Sequence, residues 1–322
     1  MDVLADVLSN TRIGGTLFCR AELRGSWGMG VSPASQAGFH VVARGTCWLR
    51  VKGRSRPLRL VQGDVILLPH GAGHSLQSDP EARVLPLFEA LRQQGLARTR
   101  SPERDDSSVV LLCGAYHFER NGVHPLLSLL PPLIHIPADG EQVAGPLEAV
   151  LRLLMSETAQ AGPGTQTVIS RLVDVLFIHI IRCWLEQQPE GSAGWLGALK
   201  DAQVGRALAR MHAEPARDWT VQGLAAEVAT SRATFARRFR ELVGEPPLVY
   251  LTRWRMELAG RLLRETELSL AQVAAHVGYS SEFAFNRTFH RECGQPPGRY
   301  REQARVRPLP VSPSAPREQL GT

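Results

Sequence analysis

The sequence predicts a multidomain fold: an all-β sandwich or barrel over residues 1–138, a helical segment over 139–194, an all-α tandem helix-turn-helix domain over 195–302 and a disordered tail over 303–322. Three observations predict it. Short β-branched and aromatic runs broken by Gly and Pro fill the first third. The apolar period then lengthens to that of helices. Finally, one helix is written twice: SRATFARRFRELVGEPP (231–247) and SEFAFNRTFHRECGQPP (281–297) are identical at seven of seventeen positions.

The strands come first. TLFCRAEL, GFHVVA, TCWLRV and DVILLP lie between residue 13 and about residue 80, and SVVLLCGAYHF spans 108–118. A proline-rich passage, HPLLSLLPPLIHIP, closes this half. Many short strands with frequent turns imply a sandwich or barrel. Next come two helical runs, EQVAGPLEAVLRLLMSETA and TVISRLVDVLFIHIIRCWLEQQ, separated by the breaker AGPG. In the second, Ile169, Leu172, Val173, Leu176, Ile180 and Trp184 form one apolar face, and Val175, Phe177, Ile178 and Ile181 widen it nearly all round. Such a helix needs a partner surface, either a second subunit or the β half of its own chain. The last twenty residues carry Pro308, Pro310, Pro313 and Pro316 and read as a tail.

Charge separates the halves. From Trp195 onward there are 19 Lys and Arg against 13 Asp and Glu; the first 194 residues carry 18 of each. The whole excess of +6 therefore lies in the part with the repeat. A polyanion partner and a basic solvated surface both fit. Five scattered cysteines make a poor disulfide framework and suit a reducing cytoplasm. MDVLADVLSN lacks the basic start of a signal peptide. The run Leu172–Leu185 is too short and too charged to span a bilayer.

On a helix of 3.6 residues per turn, Phe235, Phe239 and Val243 fall on one side, with Ala233, Ala236, Arg237 and Arg240 roughly opposite. In the second copy Phe285, Phe289 and Cys293 lie inward, and Phe283, Asn286, Arg287 and His290 outward. A constant inner face with a changed outer face suits two equivalent helices reading different surfaces. Each copy follows a shorter helix, TVQGLAAEVATS or SLAQVAAHVGYS, with Thr220 and Ser269 as N-caps. Ala229-Thr230 and Gly278-Tyr279 make the turns, and Gly244 and Gly294, each before a Pro-Pro pair, stop the second helices.

The last hundred residues resemble the tandem helix-turn-helix domain of the AraC/XylS family of bacterial transcription regulators. The resemblance rests on both copies at this spacing, the linker helix YLTRWRMELAGRLL and the closing Pro297-Gly-Arg-Tyr300-Arg301. It implies double-stranded promoter DNA and RNA polymerase as partners, and activation as the usual outcome. It also implies base-facing positions Ala233, Ala236 and Arg237 in the first helix and Glu282, Phe283, Asn286 and Arg287 in the second. Base chemistry then pairs Arg237 and Arg287 with guanine, Asn286 with adenine and Phe283 with a thymine methyl. Arg240 and His290 fall to phosphate.

GDVILLPHGAGHSLQS fits the second cupin motif through Gly63, Pro69, His70, Gly71 and His74. The first motif keeps His40 and Gly53, but Val42 and Thr46 replace its second histidine and its glutamate. This half resembles the cupin-type sensor domain of a subset of AraC-like regulators, which implies a cupin-like barrel receiving a small-molecule or oxidant effector. With two of the four cupin ligands missing, no enzymatic activity is expected. His40 and His74 should face one interior, where Cys19 and Cys113 could complete a Cys2His2 set suited to zinc. The other reading is a hydrogen-bonded histidine pair beside inert cysteines.

Overall fold

The computed structural model describes residues 3–10, 13–100, 108–118, 130–138, 145–160, 162–189 and 195–306. The β-rich half folds as two five-stranded sheets. One has the order β1 (Ile13–Leu23), β9 (Val109–Phe118), β3 (Ala37–Arg44), β6 (Val65–Leu68), β10 (Ile134–Ile136). The other has the order β5 (Leu58–Leu60), β4 (Cys47–Val51), β7 (His74–Gln77), β2 (Gly28–Val31), β8 (Leu85–Pro86). This corrects the expected barrel: among the described residues the sheets do not close on one another. Closure needs edge strands long enough to pair on both sides. Here β5, β8 and β10 are two or three residues long, and each pairs with one neighbour only.

Leu23, Trp27, Met29, Val42, Leu49, Leu60, Ile66, Leu76 and Leu111 build the core of this unit. The alternation along β1 breaks at a bulge between Leu17 and Cys19. A bulge inserts one residue and re-aims the chain beyond it. Gly15 meets the helices, Phe18 is exposed, and Cys19 joins the core with Ala21 and Leu23.

Helices α3 (Pro146–Ala159) and α4 (Thr165–Gln187) form an antiparallel pair, and α4 lies on β1 and β10. Val173, Leu176, Phe177, Ile180 and Ile181 of α4 are fully buried. The Tyr116 hydroxyl donates to the Val173 carbonyl at 3.0 Å, and the Gly15 N–H donates to Asp174 Oδ1 at 2.9 Å. A Cβ on Gly15 would sit 2.3 Å from Val173, so a side chain there would push the helix off the strand. The apolar helix thus finds its partner within its own chain. Among the described residues, the contacts group 13–118 and 130–189 into one compact unit.

The second unit contains the described residues 195–306 together with residues 3–10. Its helices are α5 (Trp195–Lys200), α6 (Ala202–Ala213), α7 (Val221–Glu227), α8 (Arg232–Val243), α9 (Pro247–Glu265), α10 (Leu270–His276), α11 (Glu282–Cys293) and α12 (Pro297–Val306). The last of these extends to Val306, four residues into the stretch expected to be tail; residues 307–322 lie outside the described residues. Two helices have no counterpart in the sequence reading. One is α1 (Val3–Asn10), which buries Val3, Leu4 and Val7 and packs on α6 and α9; the other is α2 (Leu87–Arg100) in the β unit.

Candidate nucleic-acid interface and the interior of the β unit

The repeat folds as two matched helix-turn-helix modules. Thr220, Ser231, Ser269 and Ser281 each cap a helix by accepting a backbone N–H three residues on, and Ser269 completes a capping box with Gln272. Gly244 and Gly294 end α8 and α11 in the left-handed region, at φ 89° and 74°. The turns match too. The Thr230 N–H reaches the Ala225 carbonyl at 3.0 Å, and the Tyr279 N–H reaches that of Ala274 at 2.9 Å.

One position in these turns differs in cost. Gly278 has φ 79°, whereas its counterpart Ala229 holds φ 53°, a region that disfavours a Cβ by about 1–2 kcal/mol. A Cβ on Gly278 would also lie 2.8 Å from the Ala216 carbonyl oxygen. Equivalent substitutions should therefore act with opposite sign. Ala229→Gly is expected to leave thermal stability unchanged or raise it by up to about 1 kcal/mol, and Gly278→Ala to lower it by about 2 kcal/mol or more. Melting curves of both variants check this; a Gly278→Ala protein as stable as wild type would refute it.

Phe235, Phe239, Phe285 and Phe289 are fully buried. In the first module Phe239 packs against Tyr250, whose hydroxyl lies 2.7 Å from His212 Nε2, and His212 stacks on Trp254 with ring centroids 3.9 Å apart. Burial pushes His212 down to about 3, so this imidazole is neutral. In the second module Phe289 meets Tyr300 edge-on at 5.3 Å, and Arg264 donates to the Tyr300 hydroxyl.

Helix α9 buries residues toward both modules, from Tyr250 and Leu251 to Ala259 and Leu263. Arg255 on it donates to the carbonyls of Pro215 (2.7 Å) and Arg217 (2.9 Å) in the first module and lies over the Tyr279 ring of the second at 5.8 Å. One side chain therefore links both modules to the linker helix.

The outer faces are where the sequence put them. Ala233, Arg237 and Arg240 of α8 are exposed and Ala236 is half-buried. On α11, Glu282, Phe283, Arg287 and His290 are exposed and Asn286 is half-buried. Phe283 is 78% exposed, a large apolar ring left uncovered among the described residues. Arg237 makes an exposed ion pair with Glu241 at 3.3 Å, one turn along its helix. Arg238, next to Arg237 on α8, is held by Asp201, whereas Arg287 on α11 enters no ion pair among the described residues. An open cleft of about 630 Å³ flanks α8, lined by Ala236, Arg237, Arg240 and Glu241 together with Val221, Pro246 and Pro247. Val221, Pro246 and Pro247 were not among the residues singled out from the sequence, although Pro246 and Pro247 close the first copy of the repeat.

In the β unit, His40 and His74 come together across the two sheets. Their Nε2 atoms are 2.7 Å apart, and His74 Nδ1 is 2.8 Å from the Ala72 carbonyl. His74 thus donates from Nδ1 and offers a lone pair at Nε2; His40 must donate from Nε2, which leaves its buried Nδ1 without a partner. An unsatisfied buried acceptor costs about 1–3 kcal/mol. Burial holds both rings below the ordinary histidine value, so both are neutral. Cys19 stands opposite Cys113, and Cys113 stands opposite His40 on the next strand. The hydrogen bond between the two sulfurs lowers the Cys19 thiol and raises that of Cys113. Burial pushes nearby Cys47 up to about 12, an inert thiol.

The four-ligand set of metal-binding cupins does not fit. Val42 faces the apolar core, Thr46 is exposed, and neither replaces a histidine or carboxylate donor. Among the described residues no three His, Cys, Asp or Glu donors converge on one point. No helix there is long and apolar enough to cross a membrane.

Residues 2–186 match the cupin family model, and residues 224–303 match a helix-turn-helix domain model. An AraC-like transcription regulator of Streptomyces lividans is 38% identical over 304 residues, covering 94% of this chain and 98% of its own. The HTH-type transcriptional regulator AlkR of Acinetobacter baylyi is 29% identical over 94% of this chain and 100% of its own length. The RCS-specific HTH-type transcriptional activator RclR of Escherichia coli is 28% identical over 95% of this chain and 99% of its own. With a cupin-type N-terminal half, paired helix-turn-helix modules and near full-length likeness to such regulators, the chain belongs to the AraC-like family of DNA-binding transcription regulators.

Proposed function

We propose that this regulator activates transcription by laying α8 and α11 into successive major grooves on one face of promoter DNA. The observation that carries the reading is the pair of helices with a shared phenylalanine core and different exposed faces, tied to one linker helix by Arg255. Equivalent groove positions recur every 34–36 Å or so, about one turn of duplex. Modules on one scaffold therefore demand a fixed half-site spacing. The readout assigns Arg237 and Arg287 to guanine, Asn286 to adenine, Phe283 to a thymine methyl, Ala233, Ala236 and Glu282 to the groove wall, and Arg240 and His290 to phosphate.

The β unit receives the signal, a small-molecule or oxidant effector, and the role places the protein in the cytoplasm with RNA polymerase. A relative named as an activator supports activation over repression. Val42 and Thr46 speak against an enzyme. A homodimer would use the α3–α4 pair, where Leu153, Val168 and Val175 are exposed. The effector acts by binding two conformations of the β unit with different affinity.

Footprinting of the full chain on its upstream regions tests the DNA reading. Two protected patches one turn apart are expected. Inserting about 5 bp between them moves the second to the opposite face. Affinity should then fall about tenfold or more, whereas protection indifferent to the insertion would overturn the reading.

A further inference from the structure

We infer that Arg255 is the positioning residue that fixes the two reading helices relative to each other, and with them the half-site spacing that the protein accepts. The inference rests on the proposed reading of two half-sites and adds the residue that measures them.

The first argument is position. Helix α9 serves two cores. Tyr250 meets Phe239 of the first module and Trp254 stacks on His212, whereas Met256, Ala259 and Leu263 pack with Phe285 and Phe289 of the second. Arg255 lies at the crossover, between Trp254 and Met256. Each module grips only one half of the helix, so the angle between them depends on what else joins them at that point.

The second is the contact itself. Arg255 Nε and Nη2 donate to the carbonyls of Pro215 and Arg217 in the loop before α7, and the guanidinium lies over the Tyr279 ring in the turn before α11. Gly278 brings that turn against the same loop. A Cβ there would lie 2.8 Å from the Ala216 carbonyl oxygen and 2.8 Å from Arg255 Nη2. Loop, guanidinium and turn therefore touch, in a joint that bypasses the rod of α9. A planar fork with two bonds fixes direction as well as distance, which one flexible donor does not.

The third is the duplication, which supplies an internal control. Aligning the caps Thr220 and Ser269 places Arg206 of α6 opposite Arg255. Arg206 is exposed, and Ala229, the counterpart of Gly278, carries a Cβ. The first module thus folds without a covered arginine or a bare glycine at these places. In the second copy the half-buried Arg255 and Gly278 serve the joint. One base pair moves a groove by about 3.4 Å along the duplex and turns it by about 35°. Carbonyl bonds of 2.7 and 2.9 Å break when the modules shift by that much.

The test is competition binding of the full chain at fixed salt. The probes are the duplex from its own upstream footprint and the same duplex with one base pair added or removed between the protected patches. Wild type should prefer the native spacing about tenfold or more. Arg255→Met, which keeps an unbranched apolar stem and loses the donors, should cut that preference to about threefold or less. It should still bind a probe with one patch scrambled as wild type does. Arg255→Lys, which keeps the charge and one donor, should fall between the two. Should Arg255→Met fail to fold, Arg255→Lys decides by the same ratio. Full wild-type spacing preference in the variants overturns the inference, and so does a loss on the scrambled-patch probe as large as the loss on the full site. Wild type that binds all three spacings equally overturns the two-half-site reading itself, and this inference with it.

Discussion

Phe289→Ala is expected to destabilise the helical unit by about 3–5 kcal/mol, a large share of the 5–15 kcal/mol that holds a typical domain. The ring is completely buried, 5.7 Å from Phe285 and 5.3 Å from Tyr300, in a core that includes Met256, Ala259, Leu263, Val273 and Val277. Removing it deletes apolar area and leaves a cavity among side chains anchored on four helices, which limits collapse. Chemical denaturation followed by circular dichroism measures the loss. The second half-site footprint should fade before the first, because Phe239 and Tyr250 hold a separate cluster under α8. An unchanged denaturation midpoint would show that the phenylalanines kept in both copies do not form the core.

Arg287→Ala should weaken binding to the correct operator by about 1–3 kcal/mol, a loss of about 5- to 150-fold, and weaken binding to random duplex much less. Arg287 is exposed on α11 with no ion pair among the described residues, so its fork is available for a guanine edge. Arg237 is the useful contrast. Its pairing with Glu241 is exposed on both sides and of the kind worth about 0–1 kcal/mol, so DNA can displace it. Glu241→Ala should consequently spare affinity or improve it, while Arg237→Ala should relax sequence preference in the first half-site. Competition binding with operator and scrambled duplexes at fixed salt reads both variants. Equal losses on the two duplexes would reassign Arg287 to phosphate.

The helical unit was legible in the sequence because its determinants are local. Caps at Thr220, Ser231, Ser269 and Ser281, left-handed stops at Gly244 and Gly294, and phenylalanines four apart each act within one or two turns. The duplication then compared the two helices with each other, separating core from surface without coordinates. Even so, the local pattern did not reveal Arg255, whose partners at Pro215, Arg217 and Tyr279 lie 24 to 40 residues away. Nor did it reveal α1, too short a segment for a periodic signal and buried only by packing on α6 and α9.

What the sequence by itself determined is the set of parts: strands followed by helices, two reading helices with one core chemistry, and the pairing of His40 with His74 by motif spacing. What only the tertiary structure decided is how distant parts meet. The two sheets stay open because three of their four edge strands, β5, β8 and β10, are too short to pair across. The apolar α4 lies on β1 through Gly15, Tyr116 and Val173 rather than waiting for a second subunit to bury it. Cys19 faces Cys113 because a single bulge shifts the register of β1. The physical reason is common to all three. Side-chain period is written residue by residue, whereas strand register and helix docking depend on contacts between segments far apart in the chain.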